Sequence, residues 1–165
     1  MSDDPRFKPL KEQDGFAIIP DRWKIDYFAS AGELSRFFLE LKENAKIMGT
    51  RCPSCGSLYC WPRSWCHECY VDCEWEEMSP RGGVVVFSRI EINLNDLQQM
   101  QPPFIQGSVL LEGARYPIVS FFRDVAFEDM HKGLPVKAVF LPAEERTGRI
   151  RDFYFVPERE CDRYM

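Results

Sequence analysis

Two Cys-x-x-Cys pairs, Cys52/Cys55 and Cys66/Cys69, lie ten residues apart in the run "RCPSCGSLYCWPRSWCHEC" of this 165-residue chain. No other feature constrains the fold as much. A tight turn with two residues between cysteines aims both sulfurs at one point about 2.3 Å away, and two such turns complete a tetrahedron around zinc. Pro53 and Gly56 suit the first turn. Cys52, Cys55, Cys66 and Cys69 are therefore the expected ligands of a structural zinc, with buried or redox-active thiols as the alternative. Cys60, Cys73 and His67 are spare candidates if the register differs. Four protein ligands leave no open position for water, so the metal is expected to hold the fold together and not to act as a Lewis acid.

Knuckles of this kind often grip nucleic acid, but the charge pattern points elsewhere. The formal net charge is -5, with 21 Lys/Arg against 26 Asp/Glu, and no segment has an excess of cations. Phosphate tracking needs a basic stripe. The N-terminal "MSDDPRFKPLKEQDGF" has no apolar run, and no later stretch approaches the roughly 18 apolar residues of a membrane span, so a cytoplasmic protein without membrane contact is expected. The seven cysteines fit a reducing compartment, where close thiols are more often metal ligands than disulfides.

Around the knuckles the composition changes. Residues 1–28 carry aromatic anchors without a period. In "SAGELSRFFLELKENAKIMG", Leu34, Phe37, Phe38, Leu41 and Ala45 form the stripe of an amphipathic helix, with a capping box from Ser30 to Glu33 and a stop at Gly49. From Cys73 the pattern turns to strands. "CEWEEM" leads through a Pro80-Arg81-Gly82-Gly83 bend into "VVVFSRIEI", "GSVLLEGARYPIVSFF" is a hairpin about Gly113, and "PVKAVFL" and "RDFYFV" follow, with a helical turn in "VAFEDMHKG". The expected fold is mainly β with an N-terminal helix: a rubredoxin-like zinc ribbon followed by a five-stranded OB-fold barrel, a generic small barrel being the alternative. The expected segments are 1–49 (extension and helix), 50–72 (ribbon), 73–157 (barrel) and 158–165 (tail).

The run "SRFFLELKENAKIMGTRCPSCGSLYCWPRSWCHECY" resembles the helix and ribbon of the acyl-CoA-associated zinc-ribbon/OB-fold family, first catalogued as domain of unknown function thirty-five. "VAFEDMHKGLPVKAVF" is similar to that family's turn into its fourth barrel strand, and the resemblance spans about residues 30–156. Where the family usually has Pro-Pro-Arg between the knuckles, this chain has Trp61-Pro62-Arg63. The resemblance implies an accessory subunit beside a thiolase-like catalytic subunit, helping to hold a CoA thioester. Its leading comparison is with partners of thiolases acting on an aromatic acylsuccinyl-CoA, and hydratase or aldolase partners are the alternative.

The residues agree on one point independently. Two histidines, one of them inside a knuckle, and the absence of a nucleophile elbow or phosphate loop leave no catalytic constellation, so no activity is expected of the chain alone. Cys161 is a candidate nucleophile only in principle, since a lone cysteine in a charged tail is more often a bystander. CoA recognition needs cations for phosphate and an aromatic floor for adenine. Arg51 and Arg63 are the candidate cations and Trp61 and Trp65 the candidate floor, ahead of Lys46 and Arg81; for each, a solvated charge or a core aromatic is the plain alternative. Met100, Phe104 and Ile105 in the loop 93–106 are candidates for a partner interface. A nucleic-acid-binding ribbon and barrel remains the competing class.

Overall fold

The computed structural model describes residues 9–19, 28–91 and 101–158, and the chain divides into two compact units, Met1–Ser30 and Ala31–Met165. In the first unit, β1 (Lys11–Gln13) and β2 (Phe16–Ile18) form an antiparallel hairpin. Asp14 and Gly15, both at positive φ, make the two-residue turn that suits the right-handed twist of its strands.

The second unit begins with a 3-10 turn, Gly32–Leu34, that runs into helix α1 (Ser35–Asn44). Phe37 and Leu41 are fully buried and Phe38 packs beside them, so the expected apolar stripe is the face that meets the core. The ends differ from expectation. Ala31 stands at the N-cap of the 3-10 turn and Leu34 at that of the helix, neither with a side-chain cap, and the helix starts at Ser35, whose hydroxyl donates to the Gly32 carbonyl. Ala45, not Gly49, ends the helix in the left-handed conformation. Gly49 lies in the next strand, where a Cβ would run into the Met78 sulfur and sit 2.8 Å from the Tyr59 carbonyl oxygen. Its smallness serves packing, not helix termination.

Strands β3 (Met48–Arg51), β4 (Leu58–Tyr59) and β5 (Glu74–Glu77) form the ribbon sheet in the order β4-β3-β5. "CEWEEM" thus pairs with β3 along four residues and does not begin the barrel. The barrel is closed by β6 (Arg81–Ile90), β7 (Phe104–Leu111), β8 (Ile118–Phe122), β9 (Pro135–Phe140) and β10 (Phe153–Pro157), in the cyclic order β6-β7-β8-β10-β9. Four neighbouring pairs are antiparallel and β8-β10 is parallel, the OB-fold arrangement. Gly82 and Gly83 fall inside the long first barrel strand, as a glycine bend in that strand requires, and the turn itself comes just after them. At these two residues β6 pairs with β7 on one side and β9 on the other. A side chain at Gly82 would strike the Leu110 carbonyl, so glycine permits the close approach that closure requires. The irregularity in register between Val84 and Val86 then turns the strand, as a bulge does.

One continuous core joins these parts. Phe37 and Leu41 of α1, Met48 of β3 and Met78 after β5 pack with Val84, Val109, Ile118, Phe153 and Phe155 of the barrel. Beyond the bulge, the alternate positions Val86, Ser88, Ile90, Phe104, Gln106, Ser108, Val119 and Phe121 of β6, β7 and β8 share the outer face and carry no charge, whereas before the bulge Arg81 lies on that face. Phe104 and Ile105, expected in a loop, belong to β7; Met100 lies outside the described residues. Among the described residues no helix is long and apolar enough to cross a membrane.

Candidate metal centre and the surface around it

Each knuckle is built by its backbone. Gly56 donates its N–H to the Cys52 carbonyl at 2.9 Å and Cys52 donates to Ser57 at 2.9 Å, closing the first turn; Gly56 has φ 73, a conformation that favours glycine. The second repeats the pattern, Tyr70 donating to Cys66 at 2.9 Å and Cys66 to Val71 at 2.9 Å, with Tyr70 at φ 56. Together they bring the sulfurs of Cys52, Cys55, Cys66 and Cys69 within 4.8 Å of one another. Four thiols at that spacing fit one tetrahedrally bound ion, and the donor set suits a soft or borderline metal.

The spare candidates stand apart from this set. Cys60 is fully buried in the main core, and burial pushes its thiol up to about 12, as for an inert apolar side chain. Cys73 packs beside the cluster, its thiol raised first by burial and then by the neighbouring sulfurs. The His67 ring is 3.2 Å from the Tyr59 hydroxyl.

The four thiols do not titrate alike. Cys66 is held at about 6, first because the Tyr59 hydroxyl, 3.2 Å away, hydrogen-bonds its sulfur. Cys55 is lowered too, chiefly by Ser57. Cys69 goes the other way, to about 12: a hydrogen bond from Ser54 favours its thiolate, but those with the other sulfurs, together with desolvation, outweigh it. Like charges this close cannot all form without a cation, and a bound metal supplies one. Tyr59 is 1% exposed and its own proton is held more tightly for the same reason, the partner sulfur. Sequence pattern did not single out Tyr59, which lies between the knuckles without metal-ligand chemistry of its own.

A second feature not anticipated ties this centre to the barrel. Arg115, in the turn between β7 and β8, donates to both carboxylate oxygens of Glu68 at 2.7 and 2.6 Å and to the Ser57 hydroxyl at 2.8 Å. Its backbone N–H donates to the Leu58 carbonyl at 2.8 Å. One arginine of the barrel thus contacts both knuckles.

The four residues proposed for ligand contact fall in different settings. Arg51 is engaged: its guanidinium meets both oxygens of Glu76, one at 2.7 Å, and the Gly56 carbonyl at 2.7 Å. Lys46 and Arg81 likewise pair with Glu77 at 2.6 Å and Glu158 at 2.9 Å. Arg63 is exposed, with its guanidinium 5.5 Å from the centre of the Tyr59 ring and its backbone N–H donated to the Thr50 hydroxyl at 2.9 Å. It lines a cavity of about 330 Å³ with Glu33, Thr50, Ser64, Asp72 and Trp75. Trp61 packs on Phe37 with ring centres 5.6 Å apart and stays 41% exposed. Trp65 stacks on Tyr70 at 5.9 Å, half exposed at the second knuckle. Neither tryptophan lines the Arg63 cavity; Trp75 does.

A scan against protein families returned no match for the chain. Among curated proteins it is similar to a DUF35 domain-containing scaffold protein of Methanocaldococcus jannaschii, 32% identical over 123 residues, 73% of this chain and 86% of that one. Two solved structures share the fold. One, described as the Ltp2-ChsH2(DUF35) aldolase, superposes with a TM-score of 0.64 at 21% identity, covering 79% of this chain and 98% of the other. The second, a DUF35 protein of unknown function from Sulfolobus solfataricus, gives 0.54 at 19% identity over 78% and 87%.

Proposed function

The chain belongs to the DUF35 family, and from that premise we propose that it is a non-catalytic accessory subunit of a cytoplasmic acyl-CoA-processing complex. The observation that carries this reading is the similarity to a relative described as a scaffold protein, over most of both chains. In it, the chain helps bind a CoA thioester while a thiolase-like partner performs thiolytic C–C cleavage or condensation, possible substrates being aromatic acylsuccinyl-CoA thioesters. A structural zinc in the four-thiol cluster fixes the knuckles, and so fixes Arg63. A second reading, an aldolase partner, is favoured by the fold-mate described as the Ltp2-ChsH2(DUF35) aldolase.

Arg63 is the cation assigned to a CoA phosphate. Its backbone N–H is held by the Thr50 hydroxyl and it meets no carboxylate among the described residues, whereas Arg51 is matched by Glu76. Glu33 and Asp72 on the same cavity disfavour a second phosphate there, so the reading gives Arg63 one phosphate and no more. The outer face of β6-β7-β8 weighs against nucleic acid, since its cations Arg81 and Arg89 are paired with Glu158 and Glu91, whereas barrels that track single strands combine stacking aromatics with a positive groove on that face.

The test is a titration of the co-purified complex with a CoA thioester and with single-stranded DNA. Arg63→Ala is expected to weaken thioester binding about 10- to 150-fold, the worth of one charge-assisted hydrogen bond, without releasing metal. Unchanged affinity removes the assignment of Arg63. Tight DNA binding by the free chain that collapses with salt removes the function.

A further inference from the structure

The barrel has a second concavity, at the end of the β7-β8 hairpin away from the Arg115 turn. Directly paired residues Arg89, Ile105, Phe122 and Phe155 form a row across four strands there. Alternation points this row inward, and Phe122 and Phe155 are indeed buried in the core. A guanidinium in such a row is costly to enclose, and Arg89 turns outward to pair with Glu91 at 2.8 Å.

Above the row lies an open well of about 340 Å³, walled by Ile105, Phe122, Val125 and Phe127 and rimmed by Arg89, Arg123 and Glu128. Arg123 is the rim's uncompensated cation. Its backbone N–H is fixed on the Phe155 carbonyl at 2.9 Å, and its guanidinium carbon lies 4.2 Å from the centre of the Tyr154 ring. No carboxylate lies within ion-pair distance of it among the described residues.

We propose that this barrel mouth binds a small amphipathic monocarboxylate, its apolar body in the well and its carboxylate on Arg123. The inference rests on the combination of shape and charge. An apolar well at a barrel mouth with one convergent polar group is the usual form of a small-molecule site. A guanidinium held over an aromatic ring by the cation–π attraction still has its N–H donors to offer, and they match a carboxylate with two parallel hydrogen bonds. Glu128 on the same rim repels a second negative charge, which restricts the ligand to a single carboxylate. The volume is near the lower end of the range for ligand pockets, so the ligand is small. The site is distinct from the Arg63 cavity and does not depend on the proposed thioester contact.

The experiment uses the full chain, titrated by calorimetry with 3-phenylpropionate and with the matching uncharged alcohol, 3-phenylpropanol. Saturable one-to-one binding of the acid is expected, with the alcohol at least about 10-fold weaker. Arg123→Gln is expected to weaken the acid about 10-fold and erase the difference between the two, with the melting curve retained because Arg123 is exposed. Should that variant misfold, the comparison of acid with alcohol on the unaltered chain still decides. No saturable binding of the acid, equal affinity for both compounds, or an Arg123→Gln variant that binds the acid undiminished each overturns the proposal.

Discussion

Asp152 is the most heavily hydrogen-bonded side chain of the described structure, and replacing it tests how the chain returns from the barrel wall to its last strand. It is 0% exposed. One carboxylate oxygen accepts backbone N–H donors from Thr147 at 2.8 Å, Gly148, and Arg149 at 3.1 Å; the other accepts the Thr147 hydroxyl at 3.0 Å. Burial by itself would raise this carboxyl, but the hydrogen bonds from Thr147, Arg149 and Gly148 outweigh it and hold it below its ordinary value. Asp152→Asn keeps the shape and can place its amide oxygen on the three N–H groups. It loses only the charge that strengthens them, roughly 1 to 3 kcal/mol in all. Asp152→Ala removes the acceptor of three backbone N–H groups and of the Thr147 hydroxyl and should cost about 3 to 5 kcal/mol. For a chain of this length that corresponds to a fall in Tm of about 3–9 °C for Asn and about 9–15 °C for Ala. Because the folded-state carboxyl is lowered, its stabilisation is fully present above the unfolded value of about 3.9 and fades as pH falls below it. Thermal melts of wild type and Asp152→Asn from pH 7 to pH 3 therefore should draw together at the acid end, while Asp152→Ala keeps the part of its deficit that comes from the lost acceptor. Asp152→Ala within about 1 kcal/mol of wild type, or a gap that widens on acidification, would refute the reasoning.

Three further outcomes follow from the geometry. The chain should bind one zinc, and Cys66→Ala should abolish stoichiometric metal in freshly purified protein, measured by elemental analysis. Tyr59→Phe removes the hydroxyl that favours the Cys66 thiolate, so protons compete better for that sulfur and metal release on acidification should begin at higher pH; a chelator-dye titration across pH 5–8 checks this, and an unshifted midpoint counts against it. Gly107→Ala places a Cβ against the Val86 carbonyl and 2.8 Å from the Phe87 Cα, in a ladder that cannot yield locally, so it should cost about 3 kcal/mol in urea unfolding, well above a surface alanine.

Much of this architecture was legible because it rests on short-range chemistry. The knuckle spacing, the helical stripe of Phe37 and Leu41, and five strands with a turn at Phe127–Asp129 each depend on residues close in sequence. What the sequence obscured depends on partners distant in the chain. Gly49 looks like a helix stop until Met78 arrives from β5 to fill the space beside it. Arg51 looks like a free cation on a knuckle until β5 delivers Glu76 across the sheet. Arg115, Tyr59 and Asp152 carry no motif at all, since a clamp, a hydroxyl on a sulfur and a loop anchor are defined only by what surrounds them.

The order of the strands along the chain bears on how this protein is made. The ribbon sheet is complete at Glu77 and its four thiols have all been synthesised by Cys69, while the barrel waits for β10, which enters between β8 and β9 and begins at Phe153. Contacts close in sequence form sooner than distant ones, and chains fold from the N-terminus as they leave the ribosome. Metal capture can thus precede barrel closure, and the nascent chain carries a finished ribbon attached to a four-stranded sheet with two open edges. That interval is when the chain is most exposed to pairing with the wrong strand. A metal held by the four thiols would then matter most during translation, before the barrel closes.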